Sequence, residues 1–287
     1  MENYIKFPNF KSKALTLSYD DCIRQDKRLI SIMQKYGLKG TFNINAGLFS
    51  DKFETIEKGR MTKQEALDLY IPSGMEIAAH GYRHLSLASV DSVAAINDII
   101  MDRNVLERTF GCIIKGMAYA NGSYNDEILK LLKKIGMDWA RSIEQSESFD
   151  LPTDWLQWRS TCHHDNVHLM ELAKEFVDQK ETQFYWDKKL QLFYLWGHSF
   201  EFDNNKNCDV IERFAAYMGG RNDIWYATNG EIFEYLQAAE RLQFSADGSL
   251  VKNPSGIDVY IECVDYIGEP CIVPAGKTVR TKNGEIV

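Results

Sequence analysis

The stretch "TLSYDDC", Thr16 to Cys22, runs as a β-favouring segment straight into two adjacent carboxylates. Ala14 to Tyr19 is short, apolar and β-prone, while "CIRQDKRLISIMQKYG" (22–37) has apolar residues at helical spacing and Gly37 as a stop. Asp20 and Asp21 therefore sit at a strand-to-helix junction. Taken alone, such an Asp reads as a helix cap, because its side-chain oxygen satisfies a free backbone N–H.

Outward from this junction the same alternation repeats. Strand-like "GTFNIN" (40–45), "MEIAAH" (75–80), "KGMAYA" (115–120), "MDWARS" (137–142), "LQWRST" (156–161), "LQLFYLWGH" (190–198) and "IWYAT" (224–228) take turns with helical patterns. Those patterns fall near 62–70, 90–110, 126–135, 167–180, 209–218 and up to Phe244. Alternation of this kind predicts a parallel sheet covered by helices. About eight strands over roughly 240 residues suit a (β/α) barrel better than an open sheet. Beyond Phe244 the chain turns to β-branched residues punctuated by Gly and Pro, which predicts a small antiparallel β appendage over 245–287 after a barrel over 1–244.

Composition narrows the partners. The 287 residues are 45% hydrophobic and 26% charged, with a formal net charge of −8, which argues against nucleic acid because phosphate binding needs concentrated Lys and Arg. Neutral or cationic substrates are easier to reconcile with that charge. No apolar run approaches a membrane span, and "MENYIKFPNFKSK" lacks the apolar centre of a signal peptide, so the expectation is a cytoplasmic protein with no membrane partner. Six cysteines, at 22, 112, 162, 208, 263 and 271, form no CxxC pair, which fits reduced thiols.

In parallel β/α architectures chemistry gathers where strands end. Here the ends carry "YDD", "HGYRH" (80–84), "AYANGSY" (118–124) and "LWGHS" (195–199). His80 and His84 are four residues apart, and a helical turn would bring both imidazoles to one side, a spacing that suits a metal. Two His and one carboxylate leave coordination positions open, as catalytic rather than structural metals require.

"TLSYDD", "HGYRH", "AYANGSY" and "LWGH", in this order, resemble the polysaccharide deacetylase family, the NodB-homology or carbohydrate esterase family 4 group, over roughly residues 14 to 240. The resemblance implies a distorted (β/α) barrel of the NodB-homology type that hydrolyses an acetamido or acetyl ester group on a saccharide with the help of a divalent metal. Carried over position by position, Asp20 matches the catalytic base, Asp21, His80 and His84 match the metal ligands, and His198 matches the general acid. A backbone N–H near Asn121, beside Tyr119, would hold the oxyanion. The implied metal is Zn²⁺, with Ni²⁺, Co²⁺ or Mn²⁺ admitted by the same ligands.

The chain also departs from that pattern. Cys22 stands where most members have Gly, and Ala118 and Ala120 occupy the positions of an Arg-x-Pro motif, so the arginine that orients the base is missing locally. Arg141, at the end of "MDWARS", is the candidate replacement. "WRSTCHHDNVH" (158–168) resembles a zinc cluster in composition, but neighbours on a strand point opposite ways and no CxxC accompanies it. It is expected to be a substrate-side loop, with His163 or His164 at the mouth and Trp158 among the tryptophans offered to sugar rings. Two other readings stay open: hydrolysis of a formamide, cyclic amide or O-acetyl group on the same fold, and a non-catalytic glycan binder, against which Asp20 and His198 argue.

Overall fold

Buried along its whole length, Lys13–Asp20 is the strand on which the architecture is built. The computed structural model describes residues 3–50, 59–180, 189–263 and 270–287. In chain order the strands are β1 (Asn3–Lys6), β2 (Lys13–Asp20), β3 (Gly40–Ile44), β4 (Glu76–Ala79), β5 (Gly116–Ala118), β6 (Trp139–Gln145), β7 (Trp158–Ser160), β8 (Cys162–His163), β9 (Gln191–Gly197) and β10 (Ile224–Tyr226). Between and after them come α1 (Asp26–Lys35), α2 (Lys63–Ser73), α3 (Ser92–Phe110), α4 (Asp126–Lys134), α5 (Leu169–Asp178), α6 (Glu201–Asn204), α7 (Asp209–Met218) and α8 (Asn229–Glu240).

The parallel sheet has the order β7-β6-β5-β4-β3-β2-β9-β8, with β10 also on β2. β2 pairs with β9 along Lys13 to Tyr19, with β10 at Lys13 to Leu15 and with β3 at Leu17 to Asp20. The two ends of the order belong to one stretch of chain. Residues 158–160 pair with β6, residues 162–163 pair with β9, and Thr161 N–H between them donates to Tyr194 O at 2.9 Å. The expected barrel is thus distorted by a change of partner at Thr161 rather than closed as a regular ladder.

Side chains alternate faces along a strand, and β2 shows what that does here. Leu15, Leu17 and Tyr19 join the large core shared with the helices, including Leu29 and Met33 of α1. Ala14, Thr16, Ser18 and Asp20 face inward. Ala14 lies among Trp139, Trp158, Leu192 and Tyr194, Thr16 donates to Asn229 Oδ1 at 2.9 Å, and Asn43 donates to Ser18 Oγ and Asp20 Oδ1. The interior is therefore apolar at one end and increasingly polar toward the strand ends.

The apolar end is stopped by α8, whose N-terminus a capping box of Thr228 and Glu231 fixes. Its first residue, Asn229, is buried, accepts from Thr16 and donates to Tyr194 Oη at 2.6 Å. Beyond it, β11 (Gln243–Phe244), β12 (Leu250–Lys252), β13 (Val259–Cys263), β14 (Cys271–Val273) and β15 (Thr278–Arg280) are antiparallel. β13 takes the N-terminal β1 as its other neighbour, and Val251, Val259, Ile261, Val273 and Val279 bury against α8 and the apolar end of the barrel. Among the described residues no helix is long and apolar enough to cross a membrane. Of the cysteines described, 22, 162 and 271 are buried, 112 is exposed and 208 is half-buried; the Cys263 side chain lies outside the described residues.

Glu76, half-buried beside α8, accepts from Thr41 Oγ1 at 2.6 Å and from Gly230 N–H at 2.9 Å. Burial pushes its carboxyl up to about 7, against these bonds, from an ordinary 4.5. Between those values the unfolded chain has released the proton and the folded chain has not, so this group's contribution to stability falls as pH rises from about 4.5 to about 7. Glu76→Gln, which keeps an acceptor, is expected to flatten the decline in urea-unfolding free energy over that window. A variant whose stability tracks the wild type at every pH would show that Glu76 does not titrate there.

Candidate active site

At the polar end of the barrel the two adjacent carboxylates face one mouth, although consecutive strand residues should diverge. The chain leaves β2 through two left-handed residues, Asp21 at φ 89° and Cys22 at φ 54°. Such a conformation is uncommon for any residue but glycine. It turns Asp21 back toward the side that Asp20 already faces. Asp21 N–H still donates to Asn43 O at 3.0 Å, and Arg60 binds both the Asp21 carbonyl and, at 3.1 Å, its carboxylate. Cys22 thus fills a glycine-favouring position with a buried thiol.

Asp20 is buried at 2% exposure and held from several strands. Arg141 of β6 donates to Oδ2 through Nη2, Asn43 donates to Oδ1 at 2.8 Å, and His80 Nε2 and His198 Nε2 stand 3.6 and 3.9 Å from Oδ2. Burial alone would raise this carboxyl, but Arg141, with His80 and His198, outweighs it and holds Asp20 at about 2. Arg141 is itself fully buried, with its guanidinium 4.3 Å over the Trp196 ring.

His80 and His84 meet as anticipated, but through a tight turn and not a helix. Gly81 (φ 79°) and His84 (φ 58°) are left-handed, His84 N–H reaches Gly81 O at 3.4 Å, and the two rings lie 4.9 Å apart. The turn is tied to α3, whose buried face reads Ala95, Asp98, Ile99, Asp102, Leu106. Asp98 accepts from Arg83 N–H at 3.2 Å and Arg83 Nε at 2.9 Å; Asp102 accepts from His80 N–H at 2.9 Å and Ala46 N–H at 2.7 Å. Asn45 Nδ2 donates to His80 O and Gly81 O, each at 2.7 Å. None of Asn43, Asn45, Arg60, Asp98 or Asp102 was anticipated. The signal available was the pair of acids four residues apart on the apolar stripe of a helix, where a carboxylate needs a partner.

Asp21, His80 and His84 bring their ligand atoms within 4.8 Å of one another. His80 Nδ1 is 2.9 Å from Ala118 O, which assigns it the proton and leaves the Nε2 lone pair toward the cluster. That buried Nε2 has no hydrogen-bond partner. An unsatisfied buried nitrogen between a carboxylate and a second imidazole fits a divalent cation such as Zn²⁺.

His198 follows β9, its Nδ1 3.3 Å from Glu201 of α6. Burial lowers its basicity, but Glu201 and Asp20 outweigh burial and leave it raised. Asn121 sits in the 120–122 turn at φ 56°; its side chain donates to Ser86 Oγ at 3.0 Å, while Gly122 and Ser123 N–H are used within the turn. Two expected contributors are elsewhere. The Tyr119 ring is buried against Tyr124, its hydroxyl donating to Leu156 O at 2.8 Å. Trp158 is buried at the apolar end among Trp139, Trp155 and Tyr194, so it cannot stack on a ligand. The reading of "CHHD" as residues pointing apart is also corrected. β8 ends at His163, the chain then turns, and the His163 and His164 rings lie 4.4 Å apart beside Glu201.

Removing Arg141 would strand a buried carboxylate. Arg141→Met is expected to cost about 3–5 kcal/mol of stability, and Asp20→Asn combined with it should recover part of that loss. Additive losses in urea unfolding would show that the two groups are not coupled.

Comparison with known proteins points the same way. Residues 8–140 match the profile of the polysaccharide deacetylase family. No curated protein matches the sequence. Among solved structures, a protein from Mycobacterium smegmatis assigned to the polysaccharide deacetylases is 15% identical, with 82% of this chain and 94% of that one covered and a TM-score of 0.57. PuuE allantoinase is 9% identical, with 79% and 91% covered and a TM-score of 0.58. Streptococcus pyogenes deacetylase PplD, in complex with acetate, is 18% identical, but the alignment spans only 55% of its length and 45% of this chain, at a TM-score of 0.41. The likenesses to the Mycobacterium smegmatis protein and to PuuE allantoinase concern the fold; the profile concerns the sequence, and its match carries Asp20 of β2, Asp21 just after it and the histidine turn after β4, ending one residue before Arg141. On that ground residues 8–140 are similar in sequence to the polysaccharide deacetylase family.

Proposed function

We propose that this chain is a metal-dependent hydrolase that removes the acetyl group from an N-acetylated saccharide, yielding acetate and the free amine. The observation that carries the reading is the unpartnered, buried His80 Nε2, which belongs to the Asp21, His80 and His84 cluster and stands 3.6 Å from the Asp20 carboxylate. Asp21, His80 and His84 would hold the cation. When bound, a divalent cation supplies polarisation of an acyl carbonyl and acidification of a nearby water.

The chain's own groups divide the proton work. Asp20, kept ionised by Arg141, takes a proton from the attacking water. Its low basicity fits a water that is already acidified. A second catalytic group must deliver a proton to the departing nitrogen, since an amine anion is not expelled into water. His198 suits this role because Glu201 and Asp20 raise its proton affinity. The Asn121 N–H, in a turn whose next two amides are already bonded, is the candidate donor to the oxyanion. The negative charge of the chain agrees with a neutral substrate and a cationic product.

The test is acetate release from a panel of acetylated saccharides, with and without added Zn²⁺, Co²⁺, Ni²⁺ or Mn²⁺. Asp20→Asn and His198→Ala should each lower kcat by about 10²-fold or more while metal content is retained. His80→Ala combined with His84→Ala should remove the ion held at this site and the activity together. Wild-type turnover in the Asp20 or His198 variant would refute the assignment, and release of formate or ring-opened product in place of acetate would change the bond.

A further inference from the structure

Beside the mouth, on the far side of His198, a second set of donors converges. His163, His164, Asp165 and Glu201 bring ligand atoms within 4.8 Å of one another. His164 Nε2 is 3.3 Å from Glu201 Oε2 and 3.4 Å from Asp165 Oδ1. Ligands about 2.0–2.1 Å from one tetrahedral ion stand about 3.3–3.4 Å apart. The distances also fall within hydrogen-bonding range, yet both ring nitrogens of His164 are buried without a hydrogen-bond partner. The donors are thus close to each other without pointing at each other, as happens when they point at a shared centre.

His164 is not free to turn toward another partner. Its ring stacks 4.1 Å from Phe202 and 5.8 Å from Tyr19, its N–H donates to Trp196 O at 2.9 Å, and Gly197 is required beneath it because a Cβ there would run into the imidazole. At 1% exposure, with burial first and His163 second pushing it down to about 3, it is a neutral imidazole with a lone pair to offer. Both carboxylates have outer supports. Asn205 donates to Asp165 Oδ2 at 2.9 Å, Asn207 donates at 3.4 Å to Oδ1, the oxygen that faces His164, and His198 N–H donates to Glu201 Oε2 at 3.0 Å. His163 is better placed as a support than as a ligand. Its Nδ1 accepts from Asp165 N–H at 3.1 Å, so the proton is on Nε2, which faces Glu201 at 3.2 Å. A cleft of about 440 Å³, lined by Asp165, Asn205, Asn207, Val210 and Arg213, reaches His164 from outside the mouth and gives an ion a way in.

We infer that His164, Asp165 and Glu201 form a second divalent-cation site, with His163 as an outer support, separate from Asp21, His80 and His84. One imidazole and two carboxylates suit Zn²⁺, Co²⁺ or Mn²⁺. The inference needs no particular substrate and rests on the proposed function only in counting a first ion at Asp21, His80 and His84.

The test is equilibrium dialysis of the intact protein against excess Zn²⁺, followed by elemental analysis. The wild type should hold two ions per chain. Asp165→Asn and His164→Phe should each hold one fewer, and both should leave the ion lost in His80→Ala combined with His84→Ala. The Asp165 side chain is part-exposed, so if His164→Phe fails to fold by circular dichroism, Asp165→Asn decides alone. Metal content in Asp165→Asn equal to wild type, whether one ion or two, would overturn the site.

Discussion

A buried carboxylate cannot stay ionised without a partner, and the ion pair between Asp20 and Arg141 meets that constraint across the interior of the barrel. The partners lie on β2 and β6, with three strands between them in the sheet order. Only a sheet curled on itself lets the guanidinium reach. The layers beneath are graded accordingly. Thr16 and Asn229, then Ser18 and Asn43, carry polar contacts upward from the tryptophans at the closed end to the charged pair. Every inward position of β2 from Thr16 onward is thus satisfied by a group from another element.

The next constraint is geometric. A strand presents alternate residues to one face, so two successive residues can serve one site only if the chain stops being a strand between them. Positive φ at Asp21 and Cys22 does this, and the same device recurs at Gly81 and His84, where a turn takes the place of a helix. Left-handed backbone at non-glycine residues is costly and persists only where surrounding contacts over-determine it. Here the contacts are visible: Arg60 on the Asp21 carbonyl, Asn45 on the His80 and Gly81 carbonyls, and the Asp98 and Asp102 carboxylates on the amides of Arg83 and His80. Burial pushes Asp102 up to about 8 against the N–H bonds it accepts, the mark of an acid kept inside for its position.

Elements with a strong period were legible in the sequence. The barrel strands other than β8, which was expected to be loop, together with α3 and α7 fall where apolar spacing indicated, because burial of one face is what that spacing records. Asp20, Asp21, His80, His84 and His198 were legible because they sit at strand ends, where order along the chain translates into proximity. What escaped depends on tertiary contact. Glu201 lies on a four-residue helix with no period of its own, and its closeness to His163 and His164 comes from β8 pairing with β9. Trp158 was misjudged because nearness to a strand end does not say which end of the barrel the ring faces. It points to the closed one.

The departures from the family pattern acquire a physical reading from the register. Ala118 of β5 pairs with Arg141 of β6, and Met117 with Ala140. Met117 and Ala140 face the helices, so Ala118 and Arg141 share the interior face as direct cross-strand neighbours. Ala118 offers Asp20 no cation, and its cross-strand neighbour Arg141 does. The arrangement works because of what each position contributes. Position 118 contributes only its carbonyl, which His80 Nδ1 uses and which any side chain leaves in place, while the small methyl leaves room for the guanidinium beside it. Trp196 then covers the far face of that guanidinium, so the cation is held in a plane with one edge toward Asp20. What Asp20 requires is a cation at its oxygen, and the register of β5 and β6 lets Arg141 supply it from the position beside Ala118.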